Sequence, residues 1–293
     1  MTNNQGKKMS KKRVIGIVGQ GFVGSAIREG LKAFYSIETY DIRKELSTCD
    51  SLNTLVKKSS MLFVCLPTPM GHDGECITKI VDKTVYDIDN FCKANNLKDR
   101  ILILKSTIPP GTTERLNNST ESVTVVFSPE FLTEANSFDD FKNQTRIIIG
   151  GVRPASSKVK TMFRKAFPET PIVKTSSRHA EMIKYFINCF LSTKVSFANE
   201  MYQLCESLNL DYDKIVEYAL YDPRLGRSHF SVPGPDGHFG FGGHCFPKDL
   251  SALIYAMDKN DVDSKVLTAV KEKNDEVRDN RDWEKMKGRA VLE

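Results

Sequence analysis

The stretch VIGIVGQGFVGSAI, residues 14–27, constrains the fold more than any other part of this sequence. It begins with an apolar, β-branched run, continues through Gly19-x-Gly21-x-x-Gly24 and ends in a segment with helical periodicity. A strand, a tight turn and a helix in this order open a βαβ unit whose glycines make the turn, admit a pyrophosphate and let the helix pack closely. The helix N-terminus then faces the phosphates. The predicted dinucleotide-binding residues of this stretch are Gly19, Gly21, Phe22, Val23 and Gly24.

Further apolar runs alternate with helix-like stretches from Arg13 to about residue 151. The six predicted strands are RVIGIV, SIETYD, MLFVCL, RILILK, VTVVF and RIIIG. Several are apolar without alternation, as in strands that are buried on both faces of a parallel sheet. The pattern predicts an α/β fold, with a Rossmann-like, doubly wound sheet over residues 13–175. Residues 1–12 are polar and basic without an apolar core, so we expect a disordered tail and no secretory signal.

The second part of the chain, residues 176–293, predicts a helical domain. Residues 176–210 contain neither Pro nor Gly and have apolar groups at helical spacing, which predicts one helix of roughly 45 Å at 1.5 Å per residue. Such a helix would connect two lobes and offer a surface for a homodimer. Further helices are expected at about 212–220, 247–258 and 263–280, with a loop rich in Gly and Pro over 221–246.

Composition excludes several classes of protein. The chain is 40% hydrophobic and 27% charged and contains no apolar run of about 18 residues, so a membrane-spanning protein is not expected. The net charge of +5 comes without a cluster of Lys and Arg around aromatic platforms, which argues against nucleic acid and suits a phosphorylated small molecule. The seven cysteines show no metal-ligand spacing, so we expect free thiols, no metal and a cytoplasmic location.

The second predicted strand ends in Asp41, 22 residues after Gly19. A carboxylate at this place can accept hydrogen bonds from an adenosine ribose, which favours NAD. Arg43, two residues later, leaves NADP open, and FAD competes for the glycine motif taken alone.

Seven motifs in order resemble the UDP-glucose/GDP-mannose dehydrogenase family. They are VGQGFVG, LPTP, KSTIPPGT, SPEFLTEA, AEMIKYFINCFLSTKVSFANE, DPRLG and GFGGHCFPKDL. The resemblance runs from Arg13 to about residue 280. It implies an enzyme that oxidises the C6 alcohol of a nucleotide sugar, with UDP-glucose as the expected substrate, to a carboxylate while reducing two NAD molecules.

By this resemblance Cys245 is the nucleophile that captures the intermediate aldehyde as a thiohemiacetal, which is then oxidised to a thioester. The residues themselves support a reactive thiol. Pro247 suits the first turn of a helix, so Cys245 should lie at a positive helix end, and Lys248 adds a nearby cation. The glycines at 240, 242 and 243 would leave room for a sugar. Adjacent side chains usually diverge, so we assign no role to His244.

Other roles also follow from the resemblance. Asp249 and Thr107 would hold a water at the C6 hydroxyl, while Lys184 and Asn188, one helical turn apart, would stabilise an oxyanion. Glu130 would activate the water that hydrolyses the thioester, and Glu134 would lie near the nicotinamide. We expect these two glutamates on one face of a helical turn.

The remaining predicted contacts are with cofactor and sugar. Thr68 matches a cofactor-contacting residue, and Arg224 matches an arginine that reaches the substrate of a neighbouring subunit. The further predicted substrate-binding residues are Phe131, Leu132, Phe239, Gly242 and Lys248.

The resemblance has limits. Familiar members continue into a third, nucleotide-gripping domain where this chain ends, so we expect a short form, and the loop HFSVPGPDGHFGFGG is longer than in many members. UDP-glucose, GDP-mannose and an N-acetylated UDP-sugar therefore stay open as substrates. Two other readings also stay open: a two-electron β-hydroxyacid dehydrogenase, and an NAD-binding half-enzyme that needs a partner for its third domain.

Overall fold

A seven-stranded sheet organises the first compact unit of the chain, and the computed structural model describes residues 12–292. The predicted tail, apart from Lys12, lies outside the described residues. The strands are β1 (Val14–Val18), β2 (Ser36–Tyr40), β3 (Met61–Val64), β4 (Arg100–Leu104), β5 (Val123–Phe127), β6 (Ile147–Gly150) and β7 (Ile172–Thr175). Their order across the sheet is β2-β1-β3-β4-β5-β6-β7.

The sheet is parallel except where β6 meets β5. Those two strands run antiparallel and pair only at Phe127 and Gly150, whereas β6 and β7 are again parallel. The α/β class is confirmed, but the sequence reading missed both β7 and this reversal. The β7 segment is short and no residue in it is fully buried, so it lacks the continuous apolar run that marks the central strands.

Helices cover the sheet of the first unit, which extends to Leu66 and includes Lys83–Ser106 and Thr113–Ser177. The helices that contribute to it are α1 (Phe22–Leu31), α2 (Leu52–Lys58), α3 (Lys79–Ala94), α4 (Thr112–Asn118), α5 (Ser137–Lys142) and α6 (Ala155–Ala166). One hydrophobic core joins α1 to the sheet, with Ile15, Ile27 and Phe63 fully buried. At about 1.5–3 kcal/mol for each large apolar side chain removed from water, this core fixes the glycine turn between β1 and α1.

The second unit comprises Pro67–Asp82, Thr107–Thr112 and the chain from Arg178 onward. Its helices are α7 (Ser177–Ser207), α8 (Tyr212–Ala219), α9 (Phe246–Asp258) and α10 (Lys265–Val277). The predicted long helix is confirmed, since α7 has 31 residues. The end of the described chain folds back within this unit, because the Met70 amide donates to the Ala290 carbonyl at 2.8 Å.

No helix among residues 12–292 is long and apolar enough to cross a membrane.

Candidate active site

The three glycines of the first motif meet three different surroundings. A Cβ on Gly19, where φ is +88°, would lie 2.3 Å from the Cys65 carbonyl oxygen, and one on Gly24 would lie 2.0 Å from the Gly19 carbonyl oxygen. A Cβ on Gly21 would meet nothing within 4 Å. The first and third glycines are therefore required by the turn and by helix packing, whereas the second faces open space. Open space at this glycine is what the approach of a pyrophosphate needs.

Phe22 and Val23 form the first turn of α1, with Gly21 as the N-cap. A glycine cap has no side chain to accept from the first-turn N–H groups, and no side chain caps this helix end, which attracts an anion. The residues present therefore fit the diphosphate of a dinucleotide.

Asp41 follows β2 at the edge of this turn. One of its carboxylate oxygens accepts from the Gln20 amide at 2.6 Å, and the other accepts from the Arg43 amide at 2.9 Å. Burial opposes the charge, but these hydrogen bonds and the Arg43 guanidinium outweigh it, so the pKa of Asp41 lies below its ordinary value. Asp41 is thus a charged acceptor next to the glycine turn. Oδ1 also accepts from Arg43 Nε at 3.3 Å, so Oδ2 is the oxygen with a second lone pair for a ribose hydroxyl.

The segment that carries Glu130 and Glu134 is not helical, so the expected shared helical face is wrong. The Glu130 carboxylate accepts from the Leu132 amide at 2.7 Å, and Asp140 accepts from the Thr133 amide and hydroxyl. These local bonds offer the backbone an alternative to a helix, which begins only at Ser137. Glu130 is buried and Glu134 is exposed.

A cavity of about 290 Å³ lies beside Glu130 within the first unit. Phe131 and Leu132 line it together with Lys105 and Arg146. The Arg146 guanidinium stacks 4.2 Å from the centre of the Phe131 ring, which orders both side chains. Three residues predicted to bind substrate therefore border one cavity that also contains two cationic side chains.

In the second unit, Asp249 is the centre of a buried polar cluster. It has no exposed surface and accepts from Asn188 Nδ2 at 2.6 Å and from Lys248 Nζ at 2.5 Å. Lys184 lies one turn before Asn188 on α7, and both are buried. The predicted catalytic residues Asn188 and Asp249 are thus in direct contact, although 61 positions separate them.

Lys248 is positively charged despite complete burial. Burial disfavours its charged form, but the attraction of the Asp249 carboxylate outweighs that effect, so the pKa of Lys248 lies above its ordinary value. The hydrogen bond from Asn188 to Asp249 joins α7 to the first turn of α9.

Cys245 is the N-cap residue of α9, as the position of Pro247 predicts. Its carbonyl accepts from the Asp249 amide at 2.9 Å, and its half-buried thiol lies at the positive end of the helix. The sequence reading assigned no role to His244, but the structure places His244 Nε2 3.4 Å from Cys245 Sγ. The signal was present in the sequence as Gly243, which can adopt a positive φ before the pair, and as Pro247, which favours the first helical turn after it.

Four side chains that the sequence reading missed hold the glycine-rich loop before Cys245. Asn199 accepts from the Gly240 amide at 3.0 Å, and Asp282 accepts from the Gly243 amide with both oxygens at 3.1 Å. Asn274 accepts from the Phe241 amide at 2.7 Å and donates to the Phe241 carbonyl at 3.1 Å.

Arg278 is the fourth of these side chains. It is buried, donates to the Phe239 carbonyl at 3.3 Å and pairs with Asp236 at 2.7 Å. No local pattern in the sequence could reveal these bonds, because each joins positions about 40 apart.

The glycines of this loop serve different purposes. A Cβ on Gly240 would lie 2.3 Å from Asn274 Oδ1, and one on Gly242 would lie 2.1 Å from Arg278 Nη2. A Cβ on Gly243 would meet nothing within 4 Å. Gly240 and Gly242 therefore allow the loop to pack against its own supporting side chains, whereas Gly243 faces open space.

Thr68 and Thr107 lie together in the second unit. The Thr68 hydroxyl donates to the Thr107 carbonyl at 2.8 Å, and the Cys76 thiol reaches the same carbonyl at 3.6 Å. Cys76 in turn packs against Tyr185 and Ala252. Burial raises the pKa of the Cys76 thiol, so this cysteine is a neutral packing group, one that the sequence reading did not identify.

Arg224 and Phe239 are exposed. Arg224 lies in a short 3₁₀ turn and pairs with Asp222, two residues before it. Phe239 packs on Tyr202, with ring centres 5.6 Å apart.

Comparison with known proteins identifies the family. Residues 27–167 match the NAD binding domain of the UDP-glucose/GDP-mannose dehydrogenase family, and residues 178–276 match its central domain. The chain belongs to the UDP-glucose/GDP-mannose dehydrogenase family. The matches to this family cover most of both units, and they begin three residues after Gly24.

Individual relatives agree with this assignment. A UDP-glucose 6-dehydrogenase of Rickettsia bellii is 35% identical over 233 residues, which are 76% of this chain and 51% of that protein. The UDP-glucose 6-dehydrogenase TuaD of Bacillus subtilis is 30% identical over 252 residues, which are 83% of this chain and 52% of that protein. The chain thus spans about half the length of these curated relatives.

The fold also matches a solved family member. The structure of a UDP-glucose dehydrogenase from Pyrobaculum islandicum aligns with a TM-score of 0.81 at 25% identity, covering 92% of this chain and 69% of that one. The predicted fold and the NAD-binding character of the first unit are therefore confirmed.

Proposed function

We propose that this chain is an NAD-dependent dehydrogenase that oxidises the C6 alcohol of a nucleotide sugar, with UDP-glucose as the expected substrate, to the carboxylate. The observation that carries the proposal is the Cys245 thiol at the N-terminus of α9, next to the buried contacts of Asp249 with Asn188 and Lys248. A structural role alone does not require a half-buried thiol beside three polar groups in a loop of glycines.

The cofactor would be held by the glycine turn and by Asp41. The open space at Gly21 and the first-turn N–H groups of α1 would receive the diphosphate, and the Asp41 carboxylate would accept from the ribose. When bound, NAD⁺ would supply the hydride acceptor for both oxidation steps.

Side chains of this chain would do the remaining chemistry. Asp249 and Thr107 would position a water that takes the hydroxyl proton, while Lys184 and Asn188 stabilise the negative oxygen at C6. The Cys245 sulfur would then add to the aldehyde carbon, and the C=O π electrons would move to oxygen. Glu130 would activate the water that releases the acid from the thioester and frees the thiol.

A second copy of this chain would cover one face of α7. Five large apolar residues lie exposed at spacings of four and seven along it, and Leu208 continues the row just after its end: Met182, Phe186, Phe190, Phe197 and Leu204. Phe186 is 70% exposed, and a row of this kind is typical of a helix that is buried in an oligomer.

The free cysteines, five of them buried, suit a reducing cytoplasm.

The experiment that tests the proposal uses purified protein, NAD⁺ and a panel of UDP- and GDP-sugars, with NADH read by absorbance and the sugar acid by mass spectrometry. Cys245→Ser should form no acid but still bind NADH. Acid production by this variant at the wild-type rate would remove Cys245 from the mechanism. Binding of NAD⁺ without turnover of any sugar would favour a protein that needs a partner to bind the nucleotide.

A further inference from the structure

His244 and Cys245 form a contact that neighbouring residues seldom make. Nε2 of the imidazole lies 3.4 Å from Sγ, within hydrogen-bond distance for sulfur. The backbone accounts for this contact. Gly243 is in the left-handed region with φ of +68°, and its amide is fixed by Asp282, while Cys245 already has helical angles as the N-cap of α9.

From this geometry we propose that His244 accepts the proton of the Cys245 thiol, so that the resting nucleophile is a thiolate in contact with an imidazolium. In the tautomer that carries its proton on Nδ1, Nε2 has the lone pair that the S–H group needs. The S–H bond breaks as the N–H bond forms, and no other reactant takes part.

Only the later attack of this thiolate on an aldehyde rests on the proposed function. Because His244 touches the reacting sulfur, it would be a catalytic residue.

The other charged groups near the thiol are paired with one another. Lys248 on α9 is hydrogen-bonded to Asp249, and Arg278, beyond α10, pairs with Asp236 and Asp282. Each of these cations has a carboxylate within reach, so together they add little net charge at the sulfur. His229 packs its ring 5.7 Å from that of Phe246, and burial lowers its pKa, so it is neutral at pH 7.

The remaining favourable field comes from the N-terminus of α9. A helix end of this kind lowers a thiol pKa by less than about one unit. A direct imidazole partner can lower a thiol pKa by several units.

The test measures the pH dependence of Cys245 alkylation by iodoacetamide, without substrate or cofactor. The Cys245 peptide is quantified by mass spectrometry between pH 5 and pH 10 in the wild type and in His244→Gln. His238→Gln is the matched control, because His238 is exposed in the same loop. Burial raises the pKa of the other thiols Cys49, Cys65, Cys76, Cys92 and Cys189, so their peptides report global unfolding.

We expect the wild type and His238→Gln to react with a midpoint well below the ordinary thiol value of about 8.5. His244→Gln should react at least about tenfold more slowly at pH 6.5 and at the wild-type rate near pH 10, since the variant changes only the thiolate fraction. An ordinary midpoint in the wild type would overturn the proposal even if the variant failed to fold. So would an equal loss of rate at every pH, which indicates a merely structural role. If the pH profile of Cys245 alkylation were shifted in His244→Gln but the wild type oxidised no sugar, the proposal on His244 would stand and the proposed function would be refuted instead.

Discussion

Asn274→Ala should destabilise the second unit through the loop that precedes Cys245. Asn274 is 3% exposed and satisfies both the amide and the carbonyl of Phe241, which is itself 5% exposed. An unsatisfied buried polar group costs about 1–3 kcal/mol, so losing both bonds predicts about 2–6 kcal/mol. Alanine returns up to about 0.7 kcal/mol of helix propensity within α10. The net loss of about 1–5 kcal/mol corresponds to a drop in Tm of about 2–10 °C, at about 2 °C per kcal/mol for a chain of this length.

Thermal unfolding followed by circular dichroism measures this effect, and Asn260→Ala is the matched control. Asn260 is exposed and its side chain bonds only the carbonyl of Ala256 within the same helical end, so its loss should cost less than about 0.5 kcal/mol. If the two variants melted at the same temperature, the Asn274 bonds would not be what holds the loop. The rate of Cys245 alkylation should also change in Asn274→Ala alone, because only that variant releases the backbone four residues before the thiol.

Three further variants test other parts of the account. Gly21→Ala should leave Tm almost unchanged, since its Cβ would meet nothing within 4 Å, yet weaken NAD⁺ binding by about tenfold or more, or 1.4 kcal/mol, in calorimetry; unchanged affinity would mean that the diphosphate does not approach this glycine. Asp41→Asn tests the lowered pKa of Asp41. A carboxyl whose pKa is lower in the folded protein than in the unfolded chain, where it is about 3.9, stabilises the fold above that pH, and the stabilisation is lost as the pH falls through the pKa of the folded protein. The difference in free energy of unfolding between wild type and Asp41→Asn in urea should therefore shrink as the pH falls from about 5 toward 2, and a constant difference would contradict the assignment. Phe190→Lys should shift the protein from dimer to monomer in sedimentation velocity, whereas the same substitution at the exposed Phe138, outside α7, should not.

The parts of the fold that follow local rules could be predicted from the sequence. The glycine turn and the start of α9 at Pro247 depend on the backbone preferences of a few adjacent residues. The 31-residue α7 follows from apolar groups at helical spacing in a run without Pro or Gly. Strand β7 could not be found in this way, because its half-exposed residues carry no apolar run.

The candidate site, too, could be predicted only in part from the sequence. Asn188 and Asp249 were identified by resemblance and do meet, but no local pattern predicts a contact across 61 positions. The helical turn expected for Glu130 and Glu134 is absent, because the Glu130 carboxylate accepts from the Leu132 amide. This side-chain bond competes with helical backbone bonds, and residue spacing does not reveal it. His244 was left out by a general rule on adjacent side chains, which the positive φ of Gly243 overrides.

The ratio of NADH formed to sugar acid produced tests the central claim most directly. Purified protein would be given limiting UDP-glucose and excess NAD⁺, with NADH measured at 340 nm and the acid quantified by mass spectrometry. A single enzyme that holds the aldehyde on Cys245 and oxidises it again predicts two NADH for each UDP-glucuronate and no free aldehyde. One NADH for each sugar consumed, with an aldehyde or ketone as product, would contradict the covalent role of Cys245 and favour two-electron chemistry.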